Sequence, residues 1–213
     1  MSATRVKFCG MTRARDVDAA AAIGASAVGF ICYPKSPRYT MPRLRELAGA
    51  VPPFVTPVLL FVNAVEDDVR RALDVMPNAL LQFHGDETAA QCARFQRPFL
   101  RAISMNDGVD LLDCEREYAS AIGLLVDTPG QGYGGSGRGF DWSRVPTRSV
   151  RSKPLILAGG LSSENVGAAM VAVQPYAVDV ASGVEDSPGI KSVLKMRAFF
   201  AAVRAADQSL QAS

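Results

Sequence analysis

The chain has 213 residues, 48% of them apolar and 21% charged, and 23 basic against 21 acidic side chains leave a net charge of +2. With no basic cluster interleaved with aromatics, that balance argues against a nucleic-acid partner. The longest apolar runs, such as Val58 to Val62, fall far short of the ~20 residues a membrane span needs. The N-terminus has no apolar h-region, which predicts a cytoplasmic protein. Cys9, Cys32, Cys92 and Cys114 form no CxxC pair and His84 is the single histidine, so neither a structural metal nor a disulfide framework is expected.

In chain order, an apolar strand over Val6–Cys9 runs straight into Gly10-Met11-Thr12 and an Ala-rich helix from Asp16 to Ile23. A second strand, Ala27–Cys32, leads to the loop Tyr33-Pro34-Lys35-Ser36-Pro37-Arg38 and a helix from Arg43 to Val51. Strand Thr56–Val62 ends at Asn63 and precedes a helix over Glu66–Met76 carrying Val69, Leu73 and Met76. Strand Ala79–Phe83 ends on His84-Gly85-Asp86-Glu87, with a helix from Glu87 to Phe95. Strand Phe99–Ile103 ends on Ser104 and precedes a helix over Val109–Tyr118. Strand Gly123–Asp127 opens a glycine-rich loop, and Phe140-Asp141-Trp142 begins a brief helix before Pro146. Strand Pro154–Leu157 ends on Ala158-Gly159-Gly160 and precedes a helix over Glu164–Val173. The last strand, Ala177–Ala181, ends on Ser182-Gly183 before a helix from Ile190 to Val203. Past Ala206 the chain turns polar, and residues 207–213 are expected to fray.

The strands are rich in Val, Ile, Leu and Phe without strict alternation, as expected of strands covered on both faces. Eight strands, each followed by a helix or helix-like turn, predict an α/β chain folded as a single (β/α)8 barrel over residues 1–206. A doubly wound sheet of eight strands is the alternative, and the even rhythm, with no linker, favours closure.

In a barrel the strand ends and following loops form the active face. They gather Cys9, Arg38, His84, Asp127 and two glycine-bearing turns, Gly159-Gly160 and Ser182-Gly183. Each has a plain reading beside the chemical one. Cys9 is a core thiol or a catalytic one. Asp127 caps a loop, or its pKa is raised in the barrel mouth and it acts as an acid or base. The glycine turns are tight connections, or they bring backbone N–H groups to a phosphate. Arg38 is a solvated side chain, or a fork for a substrate carboxylate. His84 is a structural imidazole donating to a backbone carbonyl, or part of the site. The loop Gly130–Gly139 contains two GxGxxG matches. No full helix follows and no acid stands ~20 residues on, so NAD is rejected and a mobile flap anchored by Phe140-Asp141-Trp142 is expected.

The stretches KFCGMT, GFICYPKSPRYT, LQFHGDE, VDTPGQGYGGSGRGFDW, LAGGLSSENV and VDVASGVEDSPGIK together resemble the phosphoribosylanthranilate isomerases of tryptophan biosynthesis, from Val6 to about Phe200. The resemblance implies a cofactor-free barrel enzyme converting N-(5-phosphoribosyl)anthranilate to 1-(o-carboxyphenylamino)-1-deoxyribulose 5-phosphate. It implies Cys9 as general base, Asp127 as general acid, Arg38 on the anthranilate carboxylate, and Gly159, Gly160, Ser182 and Gly183 on the phosphate, with His84 in the substrate-binding set. Phe8 and Phe83 stand where aliphatic residues are common, and Ala181 where serine is. Lys7, two residues before Cys9, points to the same side and would favour a thiolate. A related histidine-pathway isomerase would resemble a pair of aspartates on strands one and six, and Cys9 stands in place of the first. A catalytically dead scaffold barrel would lack the acid or the base. The expected partner is the phosphorylated small-molecule substrate, with no nucleic acid or membrane and the chain alone or as a homodimer.

Overall fold

In the computed structural model, residues 3–128 and 141–212 are described. Eight parallel strands close into a barrel in chain order: β1 (Arg5–Cys9), β2 (Ala27–Ile31), β3 (Thr56–Phe61), β4 (Leu80–Phe83), β5 (Phe99–Ser104), β6 (Gly123–Asp127), β7 (Leu155–Leu157) and β8 (Ala177–Val180). Closure is made by β1 against β8, with Arg5 opposite Ala177 and Phe8 opposite Val180. Among the described residues no helix is long and apolar enough to cross a membrane.

The two-residue period of a strand divides its side chains between two environments. One set, including Val6, Phe8, Phe30, Leu59, Phe61, Leu81, Phe83 and Val126, belongs to the large core between sheet and helices. The other set points into the barrel. Leu100, Ala102, Leu125, Ile156, Ala158 and Ala177 pack its floor, and Cys9, Leu60 and Val62 pack near its mouth. Both faces are therefore largely apolar, with Lys7, Gln82 and Asp179 as buried polar exceptions inside the barrel, which is why the strands read as hydrophobic runs. Phe8 meets Phe199 edge-on with centroids 6.2 Å apart, and Phe83 packs among Phe61, Phe95 and Phe99. Both unusual phenylalanines thus fill the outer layer, away from the barrel interior.

The helices are α1 (Ala14–Ile23), α2 (Leu44–Gly49), α3 (Glu66–Val75), α4 (Ala89–Ala93), α5 (Leu111–Glu117), α6 (Val166–Val173) and α7 (Val193–Ala212). Several begin later than the hydrophobic pattern suggests, because side chains stop them. Thr88 and Gln91 form a capping box that starts α4, and Asp110 accepts from Leu112 N and Asp113 N to start α5. Between β6 and β7 the described residues contain one 3-10 turn, Trp142–Arg144, capped by Asp141. The predicted glycine-rich flap, with Phe140, lies outside the described residues.

Two expectations at the C-terminal end are corrected. The helix predicted from Ile190 begins at Val193, because β9 (Glu185–Ser187) and β10 (Ile190–Lys191) form a small antiparallel hairpin first. Pro188 and Gly189, the latter at φ 81°, make the reversal, and arms this short carry no readable period. The tail from residue 207 is not frayed, since α7 runs through to Ala212. Asp207 is buried and accepts from Thr4 N and from Thr4 Oγ1 at 2.6 Å, while Arg204 Nη1 donates to it at 2.9 Å. The last helix is thereby fastened to the residue that leads into β1.

Candidate active site

Cys9 ends β1 with its side chain in the barrel interior, facing Gly29 in the register of β2. Any Cβ at Gly29 would lie 2.7 Å from Cys9 Sγ and 3.2 Å from Lys7 Cε. The missing side chain is therefore the space these two groups occupy. One layer below, Lys7 Nζ donates to Asp179 Oδ2 at 2.8 Å, and both residues are buried. Burial pushes the Cys9 thiol up, an effect that Lys7 opposes and Asp179 reinforces. Burial also works against the charge on Lys7, but Asp179 and Cys9 outweigh it and hold the ammonium above its ordinary value. Lys7 does share a face with Cys9, and its charge is divided between the thiol and Asp179. Burial and Asp179 together therefore favour the thiol form over the opposing pull of Lys7.

Asp127 ends β6, three strands away around the barrel. Its Oδ1 accepts from Thr128 N at 2.7 Å and its Oδ2 lies 3.2 Å from His84 Nε2. Gln82, fully buried on the same inward face of β4, places its amide nitrogen 3.3 Å from His84 Nδ1. In that arrangement Nδ1 accepts and Nε2–H is directed at the Asp127 carboxylate. His84 therefore pairs with the candidate acid and not with a backbone carbonyl, the plainer of its two sequence readings. Its loop is held from outside the sheet: Glu87 accepts from Asn63 N and Gly85 N, and Arg101 donates to Glu87, Phe83 O and Gly85 O.

Arg38 follows β2 and reaches the same cleft, where Glu185 holds its guanidinium in a two-point fork at 2.8 and 2.6 Å. The two predicted glycine turns border the same cleft. Gly159 and Gly160 have φ of 84° and 62°, conformations that side-chain-bearing residues rarely adopt. Asn165 organises this turn, accepting from Ser162 N and donating to Gly160 O, both at 2.8 Å. Ser182 begins a 3-10 turn after β8 and lines the cleft. A Cβ on Gly183 would sit 2.0 Å from Leu161 O, so this glycine lets the two turns lie back to back. The structure thus brings Cys9, Arg38, His84, Asp127, Gly159, Gly160 and Ser182 to one cleft, with Gly183 supporting it from behind. Ala181 also lines the cleft. Among the described residues no group of His, Cys, Asp and Glu is arranged to hold a metal.

Sequence reasoning missed Asp179, Gln82, Glu185 and Lys191. For Asp179 a signal existed: a lone carboxylate inside an apolar strand, two residues from its end and in phase with Ala181. Glu185 and Lys191 carried none, since both sit on the unforeseen hairpin.

Fold and site together define a (β/α)8-barrel enzyme whose polar cleft lies at the carboxyl ends of the strands, where barrel enzymes keep their chemistry. The family model described as N-(5'-phosphoribosyl)anthranilate (PRA) isomerase matches residues 6–202. The N-(5'-phosphoribosyl)anthranilate isomerase of Leptothrix cholodnii is 53% identical over 212 residues, covering 99% of this chain and 96% of the relative. The phosphoribosyl anthranilate isomerase of Thermotoga maritima superposes with a TM-score of 0.84 at 36% identity, over 95% of this chain and 99% of that one. A structure of phosphoribosyl anthranilate isomerase in complex with reduced 1-(o-carboxyphenylamino)-1-deoxyribulose 5-phosphate superposes at 0.77 with 33% identity, covering 95% and 99%. The chain belongs to the N-(5'-phosphoribosyl)anthranilate isomerase family.

Proposed function

We propose that the cleft converts N-(5'-phosphoribosyl)anthranilate to 1-(o-carboxyphenylamino)-1-deoxyribulose 5-phosphate, the isomerisation its family carries out in tryptophan biosynthesis, with Asp127 as general acid and Cys9 as general base. The observation that carries this assignment is the convergence of a thiol, a carboxyl group, an arginine and two glycine-bearing turns on one barrel mouth. The phosphorylated aminosugar is the small-molecule partner, taken up by the chain as a monomer or a homodimer.

The reaction begins with the aminosugar as a closed furanose. A proton from Asp127 goes to the ring oxygen as the bond from that oxygen to C1′ breaks, and the anilino nitrogen pair forms the C1′=N bond. Cys9, through the minor thiolate form that Lys7 supports, then removes the proton on C2′, and the electrons of that bond move through C1′ to the nitrogen. The resulting enolamine tautomerises to the ketone, completing an aldose-to-ketose exchange with no net redox change. His84 aims its Nε2–H at Asp127 Oδ2, which holds the carboxyl in one orientation as it cycles. The Gly159-Gly160 and Ser182-Gly183 turns receive the phosphate through backbone N–H groups, and Arg38 receives the anthranilate carboxylate. Both ends of the substrate are then tethered while C1′ and C2′ lie between the acid and the base.

Positioned acid–base groups each contribute roughly 10²–10⁴-fold. Cys9→Ala and Asp127→Ala are each expected to lower kcat by about that much while circular dichroism melts stay near those of the parent. The assay follows disappearance of phosphoribosylanthranilate fluorescence. Near-full activity in either variant overturns its assignment.

A further inference from the structure

Arg38 is not an isolated cation. Its Nε and Nη2 are occupied by Glu185, whose side chain is 4% exposed, and only Nη1 is left outside that fork. An arginine paired in this way is electrically neutral at a distance, because an incoming carboxylate meets the negative charge of Glu185 behind the guanidinium. The hairpin supplies a second cation to that carboxylate. Lys191 Nζ donates to Glu185 Oε1 at 2.8 Å and to Ala181 O at 3.0 Å, with its side chain fully buried. Together Arg38, Glu185 and Lys191 carry one net positive charge.

Burial works against the charge on Lys191 and holds its ammonium below the ordinary value, although Glu185 favours the charged form. Burial opposes ionisation of Glu185, yet hydrogen bonds from Arg38 and Lys191 hold its carboxyl below the ordinary carboxylate value. A fixed fork also matters for binding, since a free arginine would lose its rotamer freedom when a ligand immobilised it.

We propose that Glu185 and Lys191 are the specificity-determining pair for the substrate's carboxylate: Glu185 aims Arg38, and Lys191 cancels the charge of Glu185 so that Arg38 presents a full positive charge to the anthranilate. This rests on the carboxylate role proposed for Arg38 above. Neither residue touches the reacting atoms, so both act as positioning residues through Arg38. If they only stapled the β9–β10 hairpin, their removal would affect every ligand of the cleft alike.

The experiment compares dissociation constants for two probes: reduced 1-(o-carboxyphenylamino)-1-deoxyribulose 5-phosphate and the same compound lacking the ring carboxyl. Calorimetry on the intact protein reads both, beside circular dichroism melts. Arg38→Met is expected to weaken the carboxylated probe alone. Lys191→Gln, which strands the charge of Glu185 beside Arg38, is expected to weaken the carboxylated probe by at least about tenfold and the other by less than about twofold. The double variant Glu185→Gln/Lys191→Gln removes both charges but keeps one amide oxygen to accept from Arg38, so it is expected to recover most of that loss. If Arg38→Met fails to discriminate between the probes, the role of Arg38 itself falls. If Arg38→Met discriminates but Lys191→Gln weakens both probes equally or neither, or the double variant recovers nothing, the proposed pair falls and the role of Arg38 stands. Should Lys191→Gln not fold, the double variant still decides, because loss of carboxylate discrimination there overturns the proposal.

Discussion

Gly159 couples the phosphate turn to the candidate acid, and replacing it with alanine tests that coupling directly. Its φ of 84° lies in the left-handed region, which costs an ordinary residue about 1–2 kcal/mol. A Cβ there would also lie 2.1 Å from Thr128 Oγ1, 2.5 Å from Thr128 N and 2.8 Å from Asp127 Oδ1. Two of those atoms are backbone or a backbone-bonded carboxylate, so they can clear the methyl group only by moving β6 or β7. Overpacking of this kind costs about 1–3 kcal/mol, for a combined destabilisation of about 2–5 kcal/mol. For a chain of this size that corresponds to a fall in Tm of about 4–20 °C. The same displacement breaks the Thr128 N bond to Asp127 Oδ1 at 2.7 Å and re-aims the carboxyl, so kcat is expected to fall about 10²-fold. Gly167 is the control: it lies inside α6, and a Cβ there meets nothing within 4 Å. Gly167→Ala is expected to stabilise by about 0.4–1 kcal/mol and leave kcat unchanged. Urea melts by circular dichroism and the fluorescence assay read both quantities. A Gly159→Ala protein with the parent's stability and kcat would refute the close packing of these turns and the placement of Asp127 against them.

Three further outcomes follow from buried polar groups. Asp207→Ala leaves Thr4 without its acceptor and is expected to destabilise by about 1.5–3 kcal/mol, measured by urea unfolding, and a neutral effect would restore the frayed tail. Arg101→Met strands buried Glu87, whose other partners are the amides of Asn63 and Gly85. A loss of about 3–5 kcal/mol is expected, and a loss under about 1 kcal/mol would show that the charge finds another partner. Burial pushes the Cys32 thiol up to about 12, so between pH ~9 and 12 the unfolded chain releases a proton that the folded one keeps. Stability from this group is whole below the unfolded value and falls as pH rises, by up to ~1.4 kcal/mol per pH unit. Cys32→Ala is expected to flatten that slope in urea melts run with reductant from pH 8 to 10.5, and an unchanged slope counts against it.

The β/α rhythm was legible because strands covered on both faces must be apolar throughout, and the strand bounds shifted by no more than a residue. Helix starts were less legible where one cap overrides an apolar pattern, as Asp110 does by moving α5 to Leu111. The β9–β10 hairpin was not legible at all, because its second arm is two residues long and Pro188-Gly189 reads as a helix approach as easily as a reversal. Asp207 looked like the start of a polar tail, since a carboxylate's partner 203 positions away leaves no local trace.

The sequence by itself determined the barrel, the eight strand ends and the residue types that meet at its mouth, since a period of two and a βα alternation are local properties. It could also place Cys9 and Asp127 on the active face and Lys7 on the same side as the thiol. Only the tertiary structure decided which charges meet. It gave Lys7 to Asp179 as well as to Cys9, His84 to Asp127, and Arg38 to Glu185 with Lys191 behind it. Lys7–Asp179, His84–Asp127 and Arg38–Glu185 each join residues dozens of positions apart in the chain, and a buried charge is settled by the partner that closure of the barrel brings to it.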